Sequence, residues 1–514
     1  MRQNIIFSAF ALFLILNSCN KIDDAFEADS IANSESYLKS SNFDVKFEHT
    51  STINVGGEGA SEISAYDEKS KKLFIVNVES KEISVYNISD ITNPIKETSI
   101  VLSSGAPNSV AVSKGKLAVA VEADVKQNPG HILVYDTESL ALLSSYEVGA
   151  LPDMVTFSPN GQYIVSANEG EPNDDYTDDP EGTISIIEVA NGNVVTLNFD
   201  DFIGSENSLK ANGFRVFGPN ATLSQDVEPE YVAISSNSVY AWVTLQENNG
   251  IAKVNLETKQ IEAIYPLGFK DYNHPENAMD LSDKDGKKEL NNWPVYGIYQ
   301  PDAIEYLKVN GIEYVITANE GDSRDYSGFS EEVRVGDLVL DETAFPLSFD
   351  YLNKTKLGRL KTTTTLGDTD GDGDYDEIYS YGARSFTIWT GNGQMVYDSG
   401  NEISRKTLEL TPERFNNNDD RSDDKGAEPE SVEILTLKGN KHILFVGLER
   451  NNQILVYDIS NPVSPVFLDI LSSPADQGPE GLLAVPAQNS PSGKDLLIVS
   501  NEVSGTVSIY QNNY

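Results

Sequence analysis

Pro152-Asp153-Met154-Val155-Thr156-Phe157-Ser158, a Pro159-Asn160-Gly161 turn, then Tyr163-Ile164-Val165-Ser166-Ala167-Asn168-Glu169-Gly170: this stretch decides the fold. Two short, mostly apolar runs flank a turn of proline, asparagine and glycine, which is the pattern of a β-hairpin. The same close, a β-like run ending in glutamate, recurs at Glu79, Glu122, Glu169, Glu247, Glu320, Glu449 and Glu502. Most of these runs follow a proline-led start: Pro107-Asn108, Pro152-Asp153, Pro229-Glu230, Pro301-Asp302, Pro429-Glu430 or Pro479-Glu480. Close neighbours lie 43 to 53 residues apart, which suits four strands per unit.

Further strands fit this scheme, among them 82–86, 131–135, 183–187, 454–457 and 506–510. The chain therefore reads as all-β, and radial repetition of such sheets is a β-propeller. Eight four-stranded units are expected, at 44–103, 104–148, 149–200, 226–270, 299–345, 356–405, 426–470 and 476–512. Seven is the alternative, because the sixth unit is irregular. A lone strand from Val45 to Val55 is expected to close the ring by completing the last unit. Insertions at 200–225, 270–298, 322–345 and 406–425 would decorate the face that carries the paired acids.

At 514 residues the chain is normal for one large repeat domain. Its net charge of −43 excludes nucleic acid as a partner, because phosphate would be repelled. Cations, cationic polymers or mineral surfaces match that charge, and plain solubility of an exported protein also explains it.

Residues 1–18 read as a lipoprotein signal peptide. Arg2 precedes an apolar stretch, Ile5 to Leu16, too short to span a bilayer, and Leu16-Asn17-Ser18-Cys19 resembles a lipobox with Asn17 in place of the usual small residue. Cys19 is then the lipidated first residue, holding the protein to a bacterial outer membrane at the cell surface or periplasmic side. The lipid is the only expected membrane contact. Cys19 is also the sole cysteine, so no intramolecular disulfide can form. Residues 19–43 read as a flexible tether and 44–514 as a single propeller domain.

Asp368-Thr369-Asp370-Gly371-Asp372-Gly373-Asp374-Tyr375-Asp376-Glu377 fits a calcium loop, with calcium the expected cofactor and another divalent metal the alternative. Asp368, Asp370, Asp372 and Asp376 would offer side-chain oxygens and Asp374 its carbonyl. In the eight-unit scheme this loop lies opposite the glutamates. The second candidate is a channel ring of Asp153, Glu169, Glu230, Glu247, Asp302, Glu320, Glu430, Glu449, Glu480 and Glu502. So many facing carboxylates need metal, arginine or raised pKa values. Strand-end glutamates locking one blade to the next through backbone N–H groups are the plainer reading. Arg324 and Arg384 are candidate anion-binding groups. The acidic stretches 171–179 and 418–424 read as solvated loops. His49, His131, His274 and His442 form no catalytic constellation, and catalytic residues are unknown.

Pro266-Leu267-Gly268-Phe269-Lys270-Asp271, Trp293-Pro294-Val295-Tyr296-Gly297, Thr317-Ala318-Asn319-Glu320-Gly321-Asp322 and Gly447-Leu448-Glu449-Arg450 resemble the choice-of-anchor I domain family. So do Glu331 to Asp337 and the acidic loop followed by Gly382-Ala383-Arg384-Ser385-Phe386. That family is similar to the mesenchyme-specific cell-surface glycoproteins of biomineralising cells. The resemblance implies a surface-anchored propeller associated with calcium, matrix or mineral. An alkaline phosphatase label on some bacterial relatives implies the alternative of a metal-dependent phosphoesterase. A lactonase using a channel calcium is the weaker enzyme alternative.

Overall fold

The hairpin at 152–170 forms as its sequence implies. Pro152–Phe157 pairs antiparallel with Tyr163–Asn168, and Pro152 faces Asn168. The start of the first strand and the end of the second therefore lie at the same end of the sheet. The structure, a computed structural model, describes residues 45–514. The expected signal peptide, Cys19 and the tether lie outside the described residues.

Seven four-stranded antiparallel sheets repeat this hairpin. Sheet 1 is Ser64–Asp67, Lys72–Asn77, Glu82–Asn87 and Ile95–Val101. Sheets 2, 3 and 4 occupy 107–150, 152–197 and 229–266. Sheet 5 takes Ile304–Val309, Ile312–Asn319, Ser385–Thr390 and Met395–Asp398, and sheet 6 spans 429–471. Sheet 7 joins Pro479–Val485, Leu496–Asn501 and Thr506–Asn512 to the N-terminal strand Phe47–Asn54, which pairs along Thr506–Asn512. The first strand of each sheet touches the first strand of the next, and Pro479–Val485 touches Ser64–Asp67. This is a β-propeller arrangement.

The irregular sixth unit expected over 356–405 does not form as a separate four-stranded sheet among the described residues. Ser385–Thr390 instead pairs with Ile312–Asn319 in sheet 5. Tyr379–Ser380, within that span, pairs parallel with Tyr296–Ile298 in a three-stranded sheet built from insertions. Local apolar patterning marks a strand but does not name its partner.

The core lies between sheets. Val165, Ile184 and Ile186 of sheet 3 meet Val232 and Val243 of sheet 4, all buried. Leu73 and Ile75 likewise meet Ile498 and Ile509 across sheets 1 and 7. Each such side chain contributes about 1.5–3 kcal/mol by leaving water.

The asparagine before the strand-end glutamate is fixed inside the sheet. Asn168 Nδ2 donates to Thr183 Oγ1 at 3.1 Å and Ser185 Oγ at 3.0 Å, while Ser166 Oγ donates to Asn168 Oδ1 at 2.9 Å. Asn319 repeats the pattern with Ser385, Thr387 and Thr317. Glycine follows in both places. A Cβ on Gly170 would lie 2.6 Å from Glu181 O, and one on Gly321 would lie 2.1 Å from Gly382 N. The chain leaving strand two thus presses against the chain entering strand three, and the glutamate is turned off the sheet.

The long connections all leave from this end: 198–228, 267–303, 320–384 and 399–428. Two of them, 267–303 and 320–384, share a core of their own, with Tyr272, Met279, Val335, Leu357, Leu360 and Ile378 buried together.

Candidate functional site: a carboxylate-lined channel

The repeat places one side chain per sheet at the residue after the proline-led start. These seven are Glu62, Asn108, Asp153, Glu230, Asp302, Glu430 and Glu480: six acids and one amide. All but Glu230 line one cavity of about 420 Å³, together with Glu122, Glu169 and Glu171. Glu230 is 8 % exposed, and the negative charges of Glu169, Glu247, Asp153 and Asp302 act on it. Burial, followed by the repulsion of neighbours, raises these carboxyls. Glu62 is pushed up to about 8 by burial and then Glu502, and Asp153 to about 7 by burial and then Glu171. Glu230, Asp302, Glu430 and Glu480 are held well above the usual carboxylate range for the same reasons. The Oε2 atoms of Glu430 and Glu480 are buried without a hydrogen-bond partner.

The strand-end glutamates form a second level, and here counter-charges are present. Glu320, Glu428 and Glu449 bring oxygens within 4.8 Å of one another, a spacing a metal ion could use. Cations already answer them. Lys425 lies 2.6 Å from Glu320 and Arg421 2.7 Å from Glu428, while Arg450 lies 2.7 Å from Glu449 and 3.2 Å from Glu428. Lys126 lies 3.8 Å from Glu122. Glu247, 7 % exposed, is pushed up to about 7 by burial and then Asp322, and its Oε2 has no hydrogen-bond partner. Glu169 and Glu502 are raised by burial and then by Glu171 and Glu58 respectively. Glu79 accepts the Gly57 N–H at 3.3 Å, the sort of backbone lock expected for strand-end glutamates. The buried asparagines carry more of the structural bonding. The expected single ring is thus two levels, and among the described residues only the strand-end level holds close ion pairs.

Arg324 and Arg384 do not present themselves to an anion. Each is 2 % exposed. Arg324 is held by Asp226 at 2.8 Å and Glu228 at 3.1 Å, and Arg384 donates to the carbonyls of Asp280, Ser422 and Asp424. Burial of a guanidinium must be compensated, for Arg324 by two carboxylates and for Arg384 by three carbonyls. The hydrolase alternative loses its two candidate anion-binding groups. His274 is exposed and lies 3.6 Å from Asp271, outside the channel cavity.

The acidic loop sits elsewhere than expected. It lies within 320–384, which leaves and re-enters sheet 5 at the strand-end level, so it belongs to the glutamate-bearing face. Its five aspartates fall into two groups. Asp368, Asp370 and Asp372 bring oxygens within 4.8 Å, and Asp374 and Asp376 do so with Asp341. Asp376 accepts the Thr369 N–H at 2.9 Å, and Gly371 N donates to Asp368 at 2.7 Å. Two oxygens on one Ca²⁺ lie at most roughly 5 Å apart, so either triad fits a shared ion. The 418–424 stretch is not simply a solvated loop: Asp423 is buried against Arg359 at 2.9 Å and Asp424 against Arg421 at 2.8 Å.

Residues 62–462 match the choice-of-anchor I domain, more than half of the chain. The chain belongs to that family. Gigasin-3a of Magallana gigas is 30% identical over 183 residues, covering 30% of this chain and 64% of the relative, a little under two thirds of its length. Among solved structures, Kuenenia stuttgartiensis hydrazine synthase is 12% identical, with a TM-score of 0.48 over 88% of this chain and 96% of that one. The Myceliophteria thermophila Cps50 (Swd1) β-propeller domain is 8% identical, with a TM-score of 0.46 over 90% of this chain and 99% of that one.

Several channel residues of this choice-of-anchor I domain escape a reading of its sequence. Glu62 follows Ser61 where other units have proline, yet it precedes Glu79 by 17 residues, as Glu230 precedes Glu247. Glu228 and Glu428 open two matching Glu-Pro-Glu triplets. Glu305 and Glu433 lie three residues beyond Asp302 and Glu430 and line the next part of the channel.

Proposed function

We propose that this chain is a calcium-binding, non-enzymatic surface module, a closed seven-bladed propeller held to a bacterial outer membrane by lipid on Cys19. Its insertion-bearing face engages a cationic, matrix or mineral ligand. One observation carries the calcium reading: the Asp368, Asp370 and Asp372 oxygens lie within 4.8 Å of one another on an exposed loop. With no cation between them, these carboxylates repel one another, and a hard divalent ion relieves that repulsion through the oxygen ligands it prefers. The neighbouring Asp341, Asp374 and Asp376 would hold a second ion. Binding there would stiffen the loop and turn a repulsive acidic patch into one that bridges to anionic groups on a partner.

The test is calorimetric titration of metal-free protein with calcium, alongside thermal unfolding with and without EGTA. Binding that raises the melting temperature, and is weakened at least tenfold in Asp370→Asn, supports the reading. An unchanged melting temperature under EGTA, with no binding heat, overturns it.

A further inference from the structure

The channel continues past the ring of strand-start acids. Three residues further along the first strands of sheets 5 and 6, Glu305 and Glu433 line a second cavity of about 330 Å³ that opens toward the face opposite the insertions. Among its described lining residues there is no lysine or arginine. Tyr231 borders both cavities, and Met154 and Ile63 stand beside it at the same level. Two acidic levels are thus separated by an apolar and aromatic waist. Three residues of strand put them about 10 Å apart.

The upper level is unsatisfied in the folded protein. Glu430 and Glu480, which line the first cavity, each bury a carboxylate oxygen that has no hydrogen-bond partner. No three oxygens of the strand-start acids fall within 4.8 Å, so a bare metal ion finds no ready ligand set there. An ammonium group needs only one or two carboxylates. Its alkyl stem suits a waist of Tyr231, Met154 and Ile63, and an aromatic face attracts a cation.

We propose that the channel binds a linear aliphatic diamine or polyamine end-on, one ammonium among the strand-start acids at Glu430 and Glu480 and the other between Glu305 and Glu433. An extended chain advances about 1.25 Å per bond, so about eight bonds span the two levels. The assignment is independent of calcium in the 368–376 loop.

The test is calorimetry on the full chain with diaminoheptane, spermidine, diaminopropane and heptylamine at fixed ionic strength. Diaminoheptane and spermidine binding at least tenfold tighter than diaminopropane and heptylamine supports the proposal. Glu433→Gln should reduce diaminoheptane to the affinity of heptylamine. Because that change removes a buried charge, its melting temperature should match or exceed that of the parent, which separates lost binding from lost folding. Asp370→Asn should leave diamine affinity unchanged. Equal affinity for long and short amines, indifference to both Glu433→Gln and Glu305→Gln, or competitive displacement of the diamine by calcium would each overturn it.

Discussion

Raising the pH should destabilise the ligand-free protein, and the strand-start acids set the sign. A carboxyl raised in the folded state holds a proton that the unfolded chain has already released. Its stabilising effect is complete below the unfolded pKa near 4 and is lost as pH rises through the folded value. Glu62 and Glu449 are pushed up to about 8, and Asp153 and Glu247 to about 7. Between pH 5 and 7 the native state thus retains up to four protons from these groups alone. Each retained proton tilts stability by about 1.4 kcal/mol per pH unit, and counting only half of them leaves about 3 kcal/mol per unit. For a domain of this size that corresponds to roughly 3–6 °C per pH unit. The assay is thermal unfolding from pH 4.5 to 8.5 in amine-free, metal-free buffer at constant ionic strength. Overall negative charge also destabilises as pH rises, so a control is required. Glu62→Gln with Asp153→Asn should flatten the profile, whereas Glu342→Gln with Glu413→Gln, both exposed, should not. A melting temperature flat or rising from pH 5 to 8, or equal slopes in the two double variants, would refute the reasoning.

Two further outcomes follow from the buried polar pairs. Asn319→Ala removes the acceptor of the Thr317 hydroxyl and the donor to Ser385 and Thr387, which keep Asp398 as their acceptor, and should cost about 1–3 kcal/mol in denaturant unfolding. Arg324→Met leaves Asp226 and Glu228 buried without their cation. It should cost about 3–5 kcal/mol at pH 8 and visibly less at pH 5, where the orphaned carboxyls can take up protons, and equal losses at both pH values would contradict the pairing.

The repeat made the acids legible, because a fixed register puts equivalent side chains at equivalent places. The seven strand-end glutamates fall one to a sheet, and counting them alone would have corrected the unit count. The expected extra unit arose from 356–405, where Tyr379–Ser380 has a strand's composition but pairs with an insertion strand. The counter-charges were not legible in the same way. Lys126, Arg324, Lys425 and Arg421 all come from connections between strands, which follow no period, and nothing local to Arg324 signals that it ends up buried against Asp226. That division has a physical consequence. Connections at the strand-end face can lower lysine and arginine onto the glutamates there, but among the described lysines and arginines only Lys126 also lines the cavity of the strand-start acids. No described lysine or arginine forms an ion pair with Glu430 or Glu480, so the charge left there is balanced by protons or by a ligand that enters the channel.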